Sequence, residues 1–186
     1  MSHSPIETEI KLAMPDLRTA RKLLRTAGFT VSRRRVFESN LIFDTPRLAL
    51  RRASTLLRIR KAGAQITVTY KGKPAVGKHK SREELELEVA DASMMDAIFE
   101  RLGYRPVFCY EKYRTEYRLH RGAGMATLDE TPVGTYLELE GAPAWIDRTA
   151  RRMGFDEQDY ITASYARLYL EWCRKQGVTP GNMVFG

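Results

Sequence analysis

The sequence predicts an α+β fold that is mainly antiparallel β, an eight-stranded closed β-barrel with helices packed outside it. Three observations lead there. Apolar and polar residues alternate with a period of two through about eight segments. Helical periodicity is confined to the gaps between those segments. Finally, single strands carry rows of like charge, which repel along one face; strands of opposite sign set side by side suggest a shared charged interior rather than a solvated sheet face.

In chain order, the first strand sets Glu7, Glu9 and Lys11 against Ile6, Ile10 and Leu12. Asp16–Ala27 follows as a helix with Leu17, Ala20, Leu24 and Ala27 on one stripe, stopped by Gly28 at the usual C′ position. A strand runs through Val36–Asp44. Leu57–Arg60 alternates Arg58 and Arg60 with Leu57 and Ile59, and Gln65–Lys71 sets Thr67, Thr69 and Lys71 against Ile66, Val68 and Tyr70. Gly72–His79 nearly spells the phosphate-binding pattern GxxxxGK[ST], but His79 replaces the required hydroxyl residue and no helix follows. This segment reads as a hairpin at the barrel mouth, because Lys80–Val89 alternates as a strand: Arg82, Glu84, Glu86 and Glu88 oppose Leu85, Leu87 and Val89. Ser93 is expected to cap a helix carrying Met94, Ala97, Ile98 and Leu102. Lys112, Arg114, Glu116 and Arg118 then oppose Tyr113, Tyr117 and Leu119. Thr127 and Asp129 flank Leu128, and Glu138 and Glu140 oppose Leu137 and Leu139. A short helix at Ala144–Met153 and a longer one at Ile161–Arg174, with Tyr165, Leu168, Tyr169 and Trp172 on one stripe, complete a single domain over residues 1–175. Residues 176–186 read as a loose or docking tail.

Composition bounds the function. The chain has 186 residues, 43% of them hydrophobic and 10% aromatic, enough for one sizeable core and too apolar for a disordered chain. No apolar run is long enough to span a membrane, and MSHSPIETEIK lacks the layout of a signal peptide, so a cytoplasmic protein is expected. Cys109 and Cys173 stand alone and the three histidines are scattered, which leaves carboxylates as the metal ligands on offer. A net charge of +8 fits either nucleic acid or a small polyanion. Arg33-Arg34-Arg35 and Arg51-Arg52 read as solvated faces without interleaved aromatics, so nucleic acid is the disfavoured partner.

A small eight-stranded barrel has room for about one ligand. Ionised groups buried dry inside it would cost several kcal/mol per ion, so the lumen must hold water and ions. Paired carboxylates suit Mg²⁺ or Mn²⁺, and rows of Arg and Lys suit phosphates. A metal–polyphosphate complex satisfies both sets at once.

Glu7-x-Glu9-x-Lys11 resembles the ExExK signature of the CYTH, or triphosphate tunnel metalloenzyme, superfamily, which includes class IV adenylyl cyclases, thiamine triphosphatases and inorganic triphosphatases. Further matches follow in order: Asn40-Leu-Ile-Phe-Asp44-Thr-Pro, Leu57-Arg-Ile-Arg60, Thr69-Tyr-Lys71, Arg82–Glu88, Lys112-x-Arg114, Leu128-Asp129-Glu130, Gly134-x-x-x-Glu138-x-Glu140-Gly and Ser164-Tyr165. The ordered set is far more specific than ExExK alone. The resemblance implies an eight-stranded tunnel in which Glu7, Glu9, Glu138 and Glu140 hold Mg²⁺ or Mn²⁺. It also implies that Lys11, Arg58, Arg60, Lys71, Lys112 and Arg114 cradle a triphosphate, with Arg82 a further member of the cradle or, alternatively, a partner of the glutamates of its own strand. Lys11, Asp129 and Glu86 are the residues it implies for the chemistry, the two acids by orienting cations, binding a second metal or positioning water. The expected partner is a small-molecule triphosphate, hydrolysed with divalent metal; adenylyl cyclisation of ATP and non-catalytic polyphosphate binding are the alternatives. Monomer and homodimer both remain open.

Overall fold

The strands close on one another in the order β1-β5-β4-β3-β2-β6-β7-β8, every pair antiparallel. They are β1 (Ile6–Met14), β2 (Phe29–Asp44), β3 (Leu56–Ala62), β4 (Gln65–Lys71), β5 (Lys80–Glu88), β6 (Arg105–Leu119), β7 (Met125–Thr131) and β8 (Gly134–Glu140). This structure, a computed structural model, describes residues 6–186; residues 1–5, with His3 and the first residues of the expected domain, lie outside the described residues.

Alternation sorts the side chains by face. Glu9, Lys11, Asp129 and Glu138 point into the barrel, whereas Ile10, Leu12, Leu128, Leu137 and Leu139 lie fully buried on its outside. The apolar core therefore sits between the wall and the helices, not in the lumen. α1 (Leu17–Thr26) and α4 (Pro143–Arg152) cover β1, β7 and β8 with Ala20, Leu24, Ile146 and Ala150. α3 (Ala92–Arg101) brings Phe99 onto Phe43 and Ile59. α5 (Tyr165–Gln176) packs Tyr165 and Tyr169 against Tyr110, with Phe108 alongside. A Cβ on Gly124 would lie 2.4 Å from the Trp145 ring, so only glycine lets the β6–β7 turn pass under α4.

Four expected boundaries move. β2 and β6 begin well before Val36 and Lys112, because register shifts between Val31 and Val36 and at Ile42/Phe43 break the period-two signal. α3 is capped by Asp91, whose carboxylate accepts the Ser93 and Met94 amides, rather than by Ser93. α5 starts after Ser164, which accepts the Arg167 amide; Ile161 instead bridges the backbone of Lys11 at 2.9 Å in both directions. A short helix, α2 (Ala49–Arg52), joins β2 to β3. The tail docks: Met183 is fully buried and exchanges backbone hydrogen bonds with Cys109 and Glu111 on β6. It thereby covers a stretch of β6 edge where the β7 pairing, which begins at Tyr113, does not reach.

Candidate functional site

The inward side chains of all eight strands line one continuous cavity of about 1990 Å³. Cross-strand register sets the neighbours. Glu9 faces Glu140 and Lys11 faces Glu138 across β1 and β8, while Glu7 faces Arg82 and Glu9 faces Lys80 across β1 and β5.

One wall is an acid–base lattice around Asp129, which is fully buried. Its carboxylate accepts from Lys112 Nζ at 2.9 Å, Arg114 Nε at 2.7 Å, Arg114 Nη2 at 2.5 Å and the Tyr165 hydroxyl at 2.6 Å. Arg114 also pairs with Glu138, which in turn lies 3.2 Å from Lys11 Nζ. Burial drives the Tyr165 hydroxyl well above its ordinary pKa, and Asp129 and Glu138 add to that, so it is a fixed donor. Glu38 lies 3.5 Å from Lys112; burial works to raise its pKa, but Lys112, Arg114 and the two β3 arginines prevail and hold it down to about 2.

The opposite wall carries Arg58, Arg60, Lys71 and Arg82. Arg58 donates to the Tyr110 hydroxyl and to Thr69 Oγ1; Arg60 donates to Glu86 at 3.2 Å; Lys71 meets Glu7 at 2.7 Å. Arg82 has no carboxylate within 4.0 Å among the described residues, and its buried Nε lacks a partner. It does not pair with the glutamates of its own strand. Glu86 is exposed near the wall's rim, held by Arg60 and Thr69.

Between the walls lie Glu7, Glu9 and Glu140. Burial, a shared hydrogen bond with Glu84, and neighbouring Glu9 and Glu84 push Glu7 up to about 7 against the pull of Lys71. Burial, then Glu7, Glu138 and Glu9, push Glu140 to about 7 despite Arg114. The Glu140 carboxylate makes no hydrogen bond or ion pair among the described residues. Glu9 differs: burial works upward, but Lys11 at 3.2 Å and Lys80 at 2.8 Å hold it well below the carboxylate range. Lys80 is itself lowered to about 8 by burial and by Lys11 and Arg82, against the pull of Glu9. The donor set fits a hard divalent cation: three carboxylates crowd one cavity, two of them raised by burial and by neighbouring carboxylates. Among the described residues, no three acidic side chains already converge at ligating distance, since lysines hold Glu7 and Glu9.

This pattern of eight charged inner faces agrees with the sequence match: the CYTH domain model covers residues 5–180. The chain belongs to the CYTH domain family. A Methanocaldococcus jannaschii protein named as a candidate adenylate cyclase is 33% identical to this CYTH chain over 137 residues, 73% of this chain and 76% of that one. The solved structure of a Pyrococcus horikoshii protein superposes with TM-score 0.74 at 25% identity, covering 89% of this chain and 98% of the other. A Hippeastrum protein shares the fold at TM-score 0.65 and 21% identity, over 94% and 97% of the two chains; it is described as a candidate adenylyl cyclase with a dominant triphosphatase activity.

The barrel thus gathers all thirteen expected residues of the CYTH site onto its inner faces, with Glu86 outermost. It also adds residues to which the motifs assigned no role. Glu38 lies on a strand whose alternation is broken by bulges, and Lys80 opens β5 directly after the glycine-rich hairpin, where its pairing with Glu9 depends on the β1–β5 register. Asn40, fully buried with both amide atoms unpartnered, stands between Arg60 and Tyr110 in the register. Among the described residues, no helix is long and apolar enough to cross a membrane.

Proposed function

We propose that this CYTH domain is a divalent-metal-dependent hydrolase of a triphosphate substrate bound inside the barrel. The observation that carries the reading is the crowding of Glu7, Glu9 and Glu140 beside a row of cations that includes the unpaired Arg82. A pure anion binder would need the cations and has no use for acids such as Glu7 and Glu140, whose pKa burial and neighbouring carboxylates raise.

Glu7, Glu9 and Glu140, with Glu138 beside them, would hold Mg²⁺ or Mn²⁺, which when bound neutralises phosphate charge and polarises a phosphoryl oxygen. Lys11, Arg58, Lys71 and Arg82 reach the lumen from adjoining strands and bind the non-bridging oxygens, so charge that develops on the leaving diphosphate meets fixed donors rather than reorganising water. Lys112 and Arg114 form the facing side, their head groups fixed by Asp129, which acts as a positioning residue together with the Tyr165 hydroxyl. Glu86 orients Arg60 from the rim. Attack of water on the terminal phosphorus breaks its bond to the bridging oxygen and yields orthophosphate and a diphosphate.

A second reading is adenylyl cyclisation, in which a ribose 3′-hydroxyl attacks the α-phosphorus and pyrophosphate leaves. The name of the Methanocaldococcus relative favours it, while the activity described for the Hippeastrum protein favours hydrolysis. Incubation with ATP and Mg²⁺ or Mn²⁺, with products resolved chromatographically, separates the two. Orthophosphate that disappears in Glu9→Gln supports hydrolysis, cyclic AMP with pyrophosphate establishes cyclisation, and no turnover of any triphosphate leaves a binding module.

A further inference from the structure

On its β5 side, β1 changes partner midway along its length. Pairing with β5 ends at Glu9↔Lys80, and two residues later Lys11 exchanges backbone hydrogen bonds of 2.9 Å with Ile161 instead. Glu9 is therefore held through Lys80, whose Nζ lies 2.8 Å from its carboxylate, and Lys11 through the backbone of Ile161. Both holders stand where the ladder is thin. Lys80 opens β5, and Ile161 lies in an irregular stretch before α5. The hairpin Gly72–His79 that leads into Lys80 has few ties of its own. Among the described residues, only its Gly72 and Ala75 amides make backbone hydrogen bonds, to Glu83 and Ser81.

The missing tie comes from one carboxylate outside the barrel, Asp147 on α4. Its Oδ1 accepts from His79 Nε2 at 2.8 Å and from the Tyr160 hydroxyl at 3.2 Å, and its Oδ2 lies 3.0 Å from Lys78 Nζ. His79 immediately precedes Lys80, and Tyr160 immediately precedes Ile161. His79 is also the residue that breaks the GxxxxGK[ST] pattern. The helix that carries Asp147 is a fixed anchor, because Ile146 and Ala150 are fully buried against the barrel wall. Exposure separates the strong arms from the weak one. The Lys78 side chain is 41% exposed, so water screens its pair, whereas His79 is only 10% exposed. Burial works to raise the Asp147 pKa, but the hydrogen bonds from Lys78, His79 and Tyr160 prevail and lower it, so it stays an acceptor. Burial and Asp147 push the Tyr160 hydroxyl up to about 12, so it stays a donor.

We propose that Asp147 is a positioning residue for two members of the site at once: through His79 it sets Lys80 and hence the Glu9 carboxylate, and through Tyr160 it sets Ile161 and hence Lys11. The inference rests on the reading of Glu9 as a cation ligand and of Lys11 as a triphosphate contact. Outer partners of this kind act by fixing orientation, and a misplacement of about 1 Å costs a reacting site much of its rate. Because the arms diverge, their consequences separate. The His79 arm bears on the cation and the Tyr160 arm on the anion.

The test uses whichever of ATP and inorganic triphosphate the wild type hydrolyses faster, with Mg²⁺ and substrate each varied at saturating levels of the other. His79→Ala should raise the Mg²⁺ needed for half-maximal activity about 10-fold, the lower end of what outer partners of metal ligands cost, with little change in KM for the triphosphate. Tyr160→Phe should do the reverse, and Asp147→Asn should show both effects. A merely structural role would lower Tm and move both parameters alike in every variant; that pattern, or wild-type values throughout, overturns the proposal. Amide hydrogen exchange on the metal-free protein gives a reading independent of turnover. Lys11 and Ile161 should exchange at least ~10-fold faster in Asp147→Asn and in Tyr160→Phe, while the β3 and β4 amides keep wild-type protection. Unchanged exchange at Lys11 and Ile161 overturns the clamp even where activity falls. Should Asp147→Asn not fold, the two single-arm variants carry both readouts. If the wild type hydrolyses neither triphosphate, the hydrolase reading fails on its own, and the exchange result alone decides the clamp.

Discussion

Replacing Asp129 by asparagine keeps the shape of the side chain and removes the charge on which one wall of the barrel is assembled. Asp129 has no exposed surface, and its two oxygens receive four hydrogen bonds from Lys112, Arg114 and Tyr165. The amide that takes the carboxylate's place would retain one acceptor and turn two donors toward cations that are themselves 3% and 13% exposed at the side chain. Removing one partner of a buried ion pair costs about 3–5 kcal/mol, and in a domain of roughly 150–250 residues each kcal/mol moves Tm by about 2–4 °C. The expected loss is therefore about 6–20 °C on that conversion, read by calorimetry or circular dichroism on the metal-free protein. Tyr165→Phe, which deletes one bond to a charged acceptor, should lose about 1.5–3 kcal/mol. A drop under about 2 °C for Asp129→Asn, on the same conversion, would mean that water already satisfies this wall and that Asp129 does not organise it.

Three further outcomes follow from the same geometry. Glu7 and Glu140 are raised from 4.5 to about 7, so the folded state keeps two protons that the unfolded chain has released above pH 4.5. Their contribution to stability is present below pH 4.5 and lost as pH rises through 7, up to about 3 kcal/mol each. The metal-free protein should lose Tm over that window, and Mg²⁺ or Mn²⁺ should restore more of it at about pH 8 than at about pH 5; an equal metal effect at both would remove these acids from the cation site. Lys11→Ala and Arg58→Ala should each lower turnover at least ~10-fold through lost transition-state charge stabilisation, and wild-type rates in both would sink the tunnel assignment. Asp44→Ala strands three backbone donors and should cost about 1–3 kcal/mol in urea denaturation, with wild-type stability showing that the β2–β3 loop does not depend on Asp44.

Much of the barrel can be read from the sequence because its two faces obey opposite rules. Leu137 and Leu139 alternate with Glu138 and Glu140, and the outer residues bury against helices while the inner ones face the charged lumen. Alternation alone does not reveal that the charged face is the inner one; the rows of like charge on β3 and β5 do. The signal fails where bulges disturb the period, as along 29–35, and with it goes Glu38, whose inward direction depends on register. Pairing is hidden for a related reason. Glu9 and Lys80 are 71 positions apart, and only the β1–β5 register brings them to 2.8 Å. The acid cluster was legible as residue types, but the raised pKa of Glu7 and Glu140 arises from burial and three-dimensional crowding that spacing does not encode.

The central claim is that cations on facing walls of the barrel grip one triphosphate together with a divalent metal ion. Calorimetric titration of inorganic triphosphate with and without Mg²⁺ tests it most directly, in wild type and in Lys71→Ala and Lys112→Ala, which alter opposite walls. Binding that strengthens with Mg²⁺ and weakens at least ~10-fold in both variants is the result expected when each loses a charge-assisted contact of about 1.5–3 kcal/mol. Wild-type affinity in both variants, with or without the metal, would place the anion outside the tunnel and contradict the account.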